Sequence, residues 1–125
     1  IARAALEGIC FRIKDVHNAV RRVGNIDPNR IVATGGFTSS PYWVQLLSDV
    51  LGKDIIVTDV ENPSAFGAYV IALRSLGEDV EGFIEKEVRI ERVFHPDPER
   101  NAVYERLYGD YKFLYEKLVD YYYKE

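Results

Sequence analysis

Residues 30–52 read RIVATGGFTSSPYWVQLLSDVLG, and this stretch decides the fold class because its character changes twice. It opens with RIVAT, a short apolar run rich in β-branched residues, which is typical of a strand covered on both faces. Two glycines follow, and then Ser39 or Ser40 can cap a helix that has Pro41 in its first turn. Gly52 marks the end of that helix. The stretch therefore predicts a strand, a glycine loop and a helix.

The segments on either side extend this alternation. Residues 2–23 are predicted to form a long helix because apolar residues recur at intervals of three and four. Its predicted buried face comprises Leu6, Ile9, Ile13, Val16, Val20 and Val23. Residues 54–58, DIIVT, repeat the strand character, and Asn62 with Pro63 opens a third helix that Gly77 ends. The inward stripe of this helix is predicted to be Ala65, Tyr69, Ala72 and Leu76. The order predicts an α/β unit with parallel strands.

The chain changes character from residue 80. Residues 81–99, EGFIEKEVRIERVFHPDPE, are charged and are predicted to be irregular, after which Asp97 and Pro98 begin a last helix. One side of that helix is predicted to carry Val103, Leu107, Tyr111, Leu114 and Leu118. Seven of the nine tyrosines fall within residues 104–123, and their spacing predicts that the rings cover a neighbouring surface with hydroxyls at the water boundary.

Length and composition set outer bounds on the protein. The 125 residues suit one modest domain, and 47% hydrophobic with 29% charged residues is typical of a soluble globular protein. The net charge of −4 argues against a nucleic-acid partner. Without a signal-like or long apolar run, the chain is expected to be cytoplasmic and to make no membrane contact. Cys10, the single cysteine, is expected to be buried and inert.

Other reactive side chains carry no catalytic or metal assignment. Five acidic residues are candidates for acid–base or metal chemistry. They are predicted to lie on different elements and to be solvated. They are Glu7, Asp15, Asp49, Asp59 and Glu61. His17 and His95 have no second ligand at metal spacing, so both are expected to be structural or solvated.

The glycine loop is the candidate ligand site. A strand-to-helix turn at the carboxyl end of a parallel sheet is where α/β proteins bind nucleotides. Gly35 and Gly36 allow the backbone to approach a phosphate, ribose or base, and Phe37 offers a flat apolar wall. Ser39 and Ser40 offer hydroxyls for a helix cap or a base edge. These residues alone leave two alternatives open, an ordinary tight turn and a ligand-binding loop.

The loop and its helix resemble a known family. GGFTSSPYWVQLLSDVLG, residues 35–52, is similar to the adenosine-binding segment of the FGGY carbohydrate kinases, sugar and polyol kinases of the actin-like ATPase superfamily. The matching positions are Gly35, Gly36, Ser40, Pro41, Trp43, Gln45, Asp49 and Gly52. ARAALEGICFRIKDV before it, ENPSAFGAYVIALRSLG after it and the Tyr-rich end resemble the neighbouring family segments. Within the family, the set most resembles gluconate kinases, with xylulose kinases close behind.

This resemblance implies a fold and a set of ATP-binding residues. Residues 1–125 would be a single, partial C-terminal nucleotide-binding domain of the actin-like (ribonuclease H-like) class, with short parallel strands flanked by helices and a C-terminal helix. The implied ATP-binding set is Gly35, Gly36, Phe37, Ser39 and Ser40, in which the glycines line the adenosine and inner phosphate. Mg²⁺, the outer phosphates, the catalytic base and most sugar contacts would be held by family segments that precede this one.

The expected function follows from that resemblance. We expect the full-length protein to be an ATP-dependent phosphotransferase, a gluconate kinase, with ATP or ADP and a sugar or sugar acid as its partners. We expect the isolated chain to be inactive. A xylulose kinase, another sugar kinase of the family and a noncatalytic α/β interaction module are the alternatives. Two parallel strands make a small sheet, so apolar surface is expected to remain and to promote self-association.

Overall fold

The computed structural model describes residues 1–25 and 27–122, in which a small sheet is flanked by helices. The elements are α1 (Ala2–Gly24), β1 (Arg30–Ala33), a 3₁₀ turn (Gly36–Ser39), α2 (Pro41–Leu51), β2 (Asp54–Thr58), α3 (Pro63–Ser75), α4 (Val80–Glu87), β3 (Ile90–Phe94) and α5 (Pro98–Tyr122). The helices and strands predicted before residue 78 are confirmed to within about two residues at each end, the ordinary uncertainty of helix boundaries. Tyr123, which belongs to the predicted tyrosine set, lies outside the described residues.

Three helices begin with the same local chemistry. A side-chain oxygen caps the exposed N–H groups of α2, α3 and α5, and a proline occupies the first helical position after each cap. The caps are Ser40, Asn62 and Asp97. In α2 the Ser40 hydroxyl oxygen accepts the backbone N–H of Trp43 at 3.4 Å. The helix starts were predictable because this chemistry is local to the sequence.

The sheet is mixed, with the strand order β1-β2-β3. β1 pairs in parallel with β2, and β3 pairs antiparallel with the other edge of β2. The prediction that residues 81–99 are irregular was wrong, because they form α4 and β3. Exposure explains the error: Ile90 is 58% exposed and Val93 is 40% exposed, so β3 lacks the apolar pattern of a buried strand. Its strand conformation depends on pairing with β2.

The core surrounds α2, which packs against one face of the sheet and also against α1 and α5. Val44 and Val50 of α2 and Ile55 of β2 are fully buried. The other face of the sheet is less covered: Val32 lies opposite Ile56, yet Val32 is 59% exposed. The prediction that β1 is covered on both faces was therefore wrong, since helices cover only one of its faces.

The buried face of α1 differs from the predicted one. Four of the six predicted residues, Val16, Val20, Ile9 and Ile13, are 38% to 61% exposed, and Val23 is 89% exposed. Residues on another side of the helix are buried instead, namely Cys10, Phe11 and Lys14. Tyrosine rings of α5 pack against Phe11, with ring centres 5.3 to 6.3 Å apart. α1 therefore packs by this other side, against α2 and against the tyrosine rings of α5.

The predicted inward stripe of α3 was also wrong. No residue of α3 is buried, and Tyr69 is 53% exposed while Leu76 is 76% exposed. α3 packs on α4, where the Phe66 and Phe83 rings stack with centres 5.9 Å apart. The helix therefore contributes to a small satellite cluster, and apolar residues such as Ile71, which is 71% exposed, stay outside it.

The tyrosines of α5 pack much as predicted, although the aliphatic side does not. Tyr104 and Tyr108 are buried, and their hydroxyls donate to the Glu7 and Asp15 carboxylates of α1. Three residues of the predicted apolar side are half exposed instead, namely Val103, Leu114 and Leu118. The tyrosines are favoured because each ring fills the contact while its hydroxyl satisfies a partner.

One predicted solvated carboxylate is a central part of the core. Asp49 is only 2% exposed. Its Oδ1 accepts the side-chain amide of Gln45 at 2.8 Å and the backbone N–H of Asp97 at 2.9 Å, and its Oδ2 accepts Arg100 at 3.1 Å. Asp49 thus joins α2 to the start of α5, and the prediction that it is solvated was wrong. Asp59 and Glu61 are exposed, as predicted.

Candidate functional site

A cavity of about 390 Å³ lies at the carboxyl ends of the parallel strands β1 and β2. Its wall combines the glycine loop, the segment after β2 and the first part of β3. The lining residues are Gly35, Gly36, Thr38, Ser39, Val57, Thr58, Asp59, Val60, Glu61, Glu91 and Arg92. Both the volume and the position are typical of small-molecule sites in α/β proteins.

The glycine loop presents bare backbone to this cavity. Gly35 has φ 101° and ψ 176°, a conformation open in practice to glycine alone. The N–H and the hydroxyl of Thr38 both donate to the Gly35 carbonyl oxygen, at 3.0 and 2.7 Å, and so close the turn. A Cβ at Gly35 or Gly36 would meet no atom within 4 Å. A ligand can therefore approach the backbone directly at both glycines.

Arg92 ties the loop to the sheet. Its Nη2 donates to the Thr38 carbonyl oxygen at 3.1 Å, across 54 residues of sequence. The guanidinium carbon also lies 5.8 Å from the centre of the Phe94 ring. Sequence reasoning missed Arg92 because it missed β3, whose residues, IERVF at 90–94, do not alternate between apolar and polar side chains.

Carboxylate side chains form another part of the cavity wall, called the carboxylate rim. Asp59, Glu61 and Glu91 line the cavity, and Asp59 Oδ1 accepts the backbone N–H of Arg89 at 2.9 Å. Three carboxylates against the single guanidinium of Arg92 make the rim acidic. Carboxylate oxygens accept hydrogen bonds from hydroxyl groups, as they do from ribose in nucleotide sites, whereas they repel phosphates. The rim therefore suits a hydroxyl-bearing, uncharged part of a ligand.

The structure separates the five residues of the predicted ATP-binding set. Gly35, Gly36 and Ser39 lie on the cavity wall. Phe37 is half-buried and packs edge-on against Trp43, with ring centres 5.6 Å apart, so it joins the core behind the loop. Ser40 caps α2. Of the two capping serines considered from sequence, Ser40 is the cap and Ser39 remains free to face the cavity.

Cys10 is not among the residues that line this cavity. Burial of Cys10 is confirmed, and this burial raises the pKa of its thiol to about 11, which keeps it protonated at neutral pH. In residues 1–25 and 27–122, no group of three or more His, Cys, Asp and Glu side chains is placed to hold a metal ion. None of the helices described there is long and apolar enough to cross a membrane.

Comparison with known proteins places these features in a family. Residues 1–76 match the C-terminal domain of the FGGY family of carbohydrate kinases. The xylulose kinase of Staphylococcus epidermidis is 31% identical over 118 residues, which cover 93% of this chain and 24% of that protein. The chain thus spans about a quarter of the length of such curated relatives.

Solved structures agree with the sequence relatives. A ligand-bound xylulose kinase from Lactobacillus acidophilus superposes with a TM-score of 0.80 at 29% identity, covering 94% of this chain and 24% of that one. A gluconate kinase from the same organism gives a TM-score of 0.79 at 29% identity, with the same coverage. These two solved structures therefore resemble the chain almost equally. On the match over residues 1–76, the chain belongs to the FGGY family of carbohydrate kinases and carries sequence of its C-terminal domain.

Proposed function

We propose that this chain supplies the adenosine side of the ATP site in an ATP-dependent carbohydrate kinase. The observation that carries the proposal is the cavity between the glycine loop and the carboxylate rim, at the carboxyl ends of parallel strands, in a chain of this family. Residues 1–125 would act as part of a nucleotide-binding domain of the actin-like class.

The proposed reaction is phosphoryl transfer. A sugar or sugar-acid hydroxyl oxygen attacks the γ-phosphorus of ATP, the bond to the bridging oxygen breaks, ADP leaves, and a base takes the hydroxyl proton. Such transfer relies on positioning and charge neutralisation, so a nucleotide-holding segment contributes by orientation. The base, the outer phosphate contacts and Mg²⁺ are assigned to segments outside this chain.

The residues of the cavity support a division of labour. The bare backbone at Gly35 and Gly36 allows close approach of a flat base or sugar, and the rim carboxylates of Asp59, Glu61 and Glu91 accept ribose hydroxyls. Because the rim is acidic, the phosphates would extend away from it. Phe37 and Ser40 would support the loop without contacting the nucleotide. Phe37 packs against Trp43, and Ser40 caps α2.

Gluconate is the first candidate for the phosphorylated substrate, with xylulose next. Both kinds of kinase are represented among the relatives, which supports a sugar or sugar acid without deciding between them. A panel of gluconate, xylulose, glycerol and ribulose, assayed with ATP in the full-length kinase, would identify the substrate. Turnover with none of the four would count against gluconate and xylulose and would favour another sugar substrate or the noncatalytic alternative.

A noncatalytic interaction module is the second candidate function. The exposed apolar residues of α1 favour it, since such a surface is typical of a site for a protein partner. ATP-dependent sugar phosphorylation by the full-length protein would exclude this alternative.

Substitution of Gly36 by alanine tests the nucleotide site in the chain itself. The new Cβ would meet no protein atom and the residue has no left-handed φ, so folding stability should change by less than about 0.5 kcal/mol. A nucleotide lying against the backbone would collide with it. We expect ATP affinity weaker than about 1 μM for the chain, and a further loss of roughly tenfold in Gly36→Ala, measured by NMR titration of the loop amides.

Gly67→Ala is the matched control because a Cβ there also meets no atom, on α3. It should leave ATP affinity unchanged. Equal effects of the two substitutions, or unchanged ATP affinity in Gly36→Ala, would contradict the proposed site.

A further inference from the structure

Asp59 follows β2 in the same way that Gly35 follows β1. The two strands are parallel neighbours, and Ala33 of β1 lies opposite Val57 of β2. Gly35 and Asp59 each come two residues after their member of that pair. Both residues line the same cavity of about 390 Å³. The glycine loop and the Asp59 carboxylate therefore lie at the same end of the sheet, on the wall of one ligand-sized space.

The Asp59 carboxylate is held in place by one of its two oxygens. Oδ1 accepts the backbone N–H of Arg89 at 2.9 Å, and the backbone N–H of Asp59 donates to the Arg89 carbonyl oxygen at 3.1 Å. These two bonds continue the pairing of β2 with the segment before β3 and fix the side chain. The other oxygen, Oδ2, is in no hydrogen bond or ion pair within the described residues. Asp59 is exposed, so this acceptor is accessible.

The other two carboxylates of the rim are less suited to bind a hydroxyl group. Glu91 Oε1 lies 3.4 Å from Nε of Arg92, so the neighbouring cation offsets its charge. Glu61 is exposed, and its carboxylate has no hydrogen bond or ion pair in the part of the chain that the structure describes. Ordering such a long, unanchored side chain on binding costs conformational entropy, whereas Asp59 is already oriented.

The arrangement follows a general pattern of α/β nucleotide sites. In dinucleotide-binding sheets a glycine loop follows one strand, and an acidic residue roughly 20 residues further on accepts a hydrogen bond from a ribose hydroxyl. Here Asp59 comes 24 residues after Gly35 and follows the strand that pairs with β1. The pattern therefore favours Asp59 as the residue that recognises the sugar of a bound nucleotide.

We propose that Asp59 selects ribonucleotides over deoxyribonucleotides, by accepting a hydrogen bond from a ribose hydroxyl of ATP at Oδ2. This inference rests on the proposed nucleotide site and assigns one residue of that site to the recognition of the sugar. A deoxyribose lacks one of the two hydroxyl donors. Where the missing hydroxyl is the one that Asp59 binds, the carboxylate would face the ligand without a hydrogen bond, and affinity would fall.

Comparison of ATP with its two deoxy analogues tests the assignment. ATP, 2′-deoxy-ATP and 3′-deoxy-ATP are titrated into the chain, and affinities are measured from the NMR signals of the Gly35 and Gly36 amides. We expect at least one analogue to bind about fivefold or more weakly than ATP. In Asp59→Asn this ratio should fall toward one. Asparagine suits the test because its carbonyl oxygen can still accept the Arg89 N–H while an amide group replaces Oδ2.

Two control variants make the same change from carboxylate to amide. Glu61→Gln, at an unanchored carboxylate on the same wall, should alter the ratio less than Asp59→Asn. Asp110→Asn, on α5 and outside the cavity, should leave the ratio unchanged. Equal loss of discrimination in Glu61→Gln would attribute selection to the charge of the whole rim and overturn the role of Asp59.

The outcomes separate this inference from the proposed function. A wild-type chain that binds ATP and both analogues equally, or an Asp59→Asn variant that discriminates as the wild type does, would overturn the role of Asp59 and leave the nucleotide site intact. Glycine-loop signals that do not respond to ATP at all would contradict the nucleotide site itself, and the role of Asp59 with it.

Discussion

Asp49 shows how one side chain can hold two elements together. The carboxylate occupies a position of the family motif, yet it lies in the core and receives donors from α2 and from the start of α5. Asp49→Asn keeps the shape but replaces one acceptor oxygen by an amide that faces donors. We expect the free energy of unfolding to fall by about 2–3 kcal/mol, measured by urea denaturation.

The control for Asp49 is Asp110→Asn on the exposed side of α5. It makes the same chemical change and should alter the free energy of unfolding by less than about 0.5 kcal/mol. A similar loss in both variants would show that the buried network of Asp49 contributes nothing specific.

Because the Cys10 thiol is buried, we expect the folded protein to lose stability at alkaline pH. Its pKa rises from 9.0 to about 11 in the folded protein because of burial. The folded state therefore holds the proton longer than the unfolded state, so stability is fully present below pH 9 and is lost as the pH rises toward 11. Tyr104 and Tyr108, whose pKa values are also raised, add to this loss.

Comparison with Cys10→Ala isolates the thiol from the tyrosines. The two proteins are unfolded in urea at several pH values between 8 and 11, the range that spans both thiol pKa values. The wild type should lose stability faster, so the difference in unfolding free energy should shrink as the pH rises. A constant difference would mean that Cys10 does not titrate differently in the two states.

At the scale of elements, aromatic rings of α5 pack on the buried side of α1. Phe11 is 7% exposed and contacts three tyrosine rings, whereas Val20, on the stripe that periodicity favours, is 61% exposed. Phe11→Ala should cost about 3–4 kcal/mol of unfolding free energy, and Val20→Ala should cost less than about 0.5 kcal/mol. Urea denaturation of both variants measures these losses. A larger loss in Val20→Ala than in Phe11→Ala would indicate that the aliphatic stripe is the packed face of α1.

How far prediction reached depended on whether the signal was local. α2 was predictable to its ends because Ser40, Pro41 and Gly52 form its cap, first turn and terminus without help from distant residues. β3 was not, because its residues are charged or exposed and only pairing with β2 makes them a strand. The same holds for the cavity wall. The position of Gly35 and Gly36 after β1 could be predicted from local sequence, whereas that of Arg92 could not because it depends on the pairing of β3.

At the scale of the whole molecule, apolar surface remains uncovered. The α1 stripe borders a shallow groove of about 520 Å³ formed by Ala5, Gly8, Ile9, Arg12, Ile13 and Val16. Val32 and Val93 add exposed apolar area on one face of the sheet. We expect the chain to self-associate through these surfaces, because large exposed apolar patches generally mark sites of protein–protein contact.

Val16→Lys tests the contribution of α1 to this association. The substitution places a charge on the stripe at a position that is 58% exposed, so the fold should tolerate it while association weakens. Val103→Lys is the control, since Val103 is 47% exposed on α5 at helical spacing from Glu99 and Arg106. Light scattering over a range of concentrations should show weaker association for Val16→Lys only. A wild-type chain that stays monomeric at high concentration would contradict the expectation.

The hydrogen bond from Arg92 to Thr38 has a consequence for the order in which the cavity forms. During synthesis the glycine loop emerges 54 residues before the arginine that braces it, so the loop must wait for a contact of long sequence separation, which is slow to close. The family match also ends at residue 76, before Glu91 and Arg92. A nascent chain that had reached the end of the matched region would carry the glycines without the β3 wall, and the cavity would be complete only once β3 had joined the sheet.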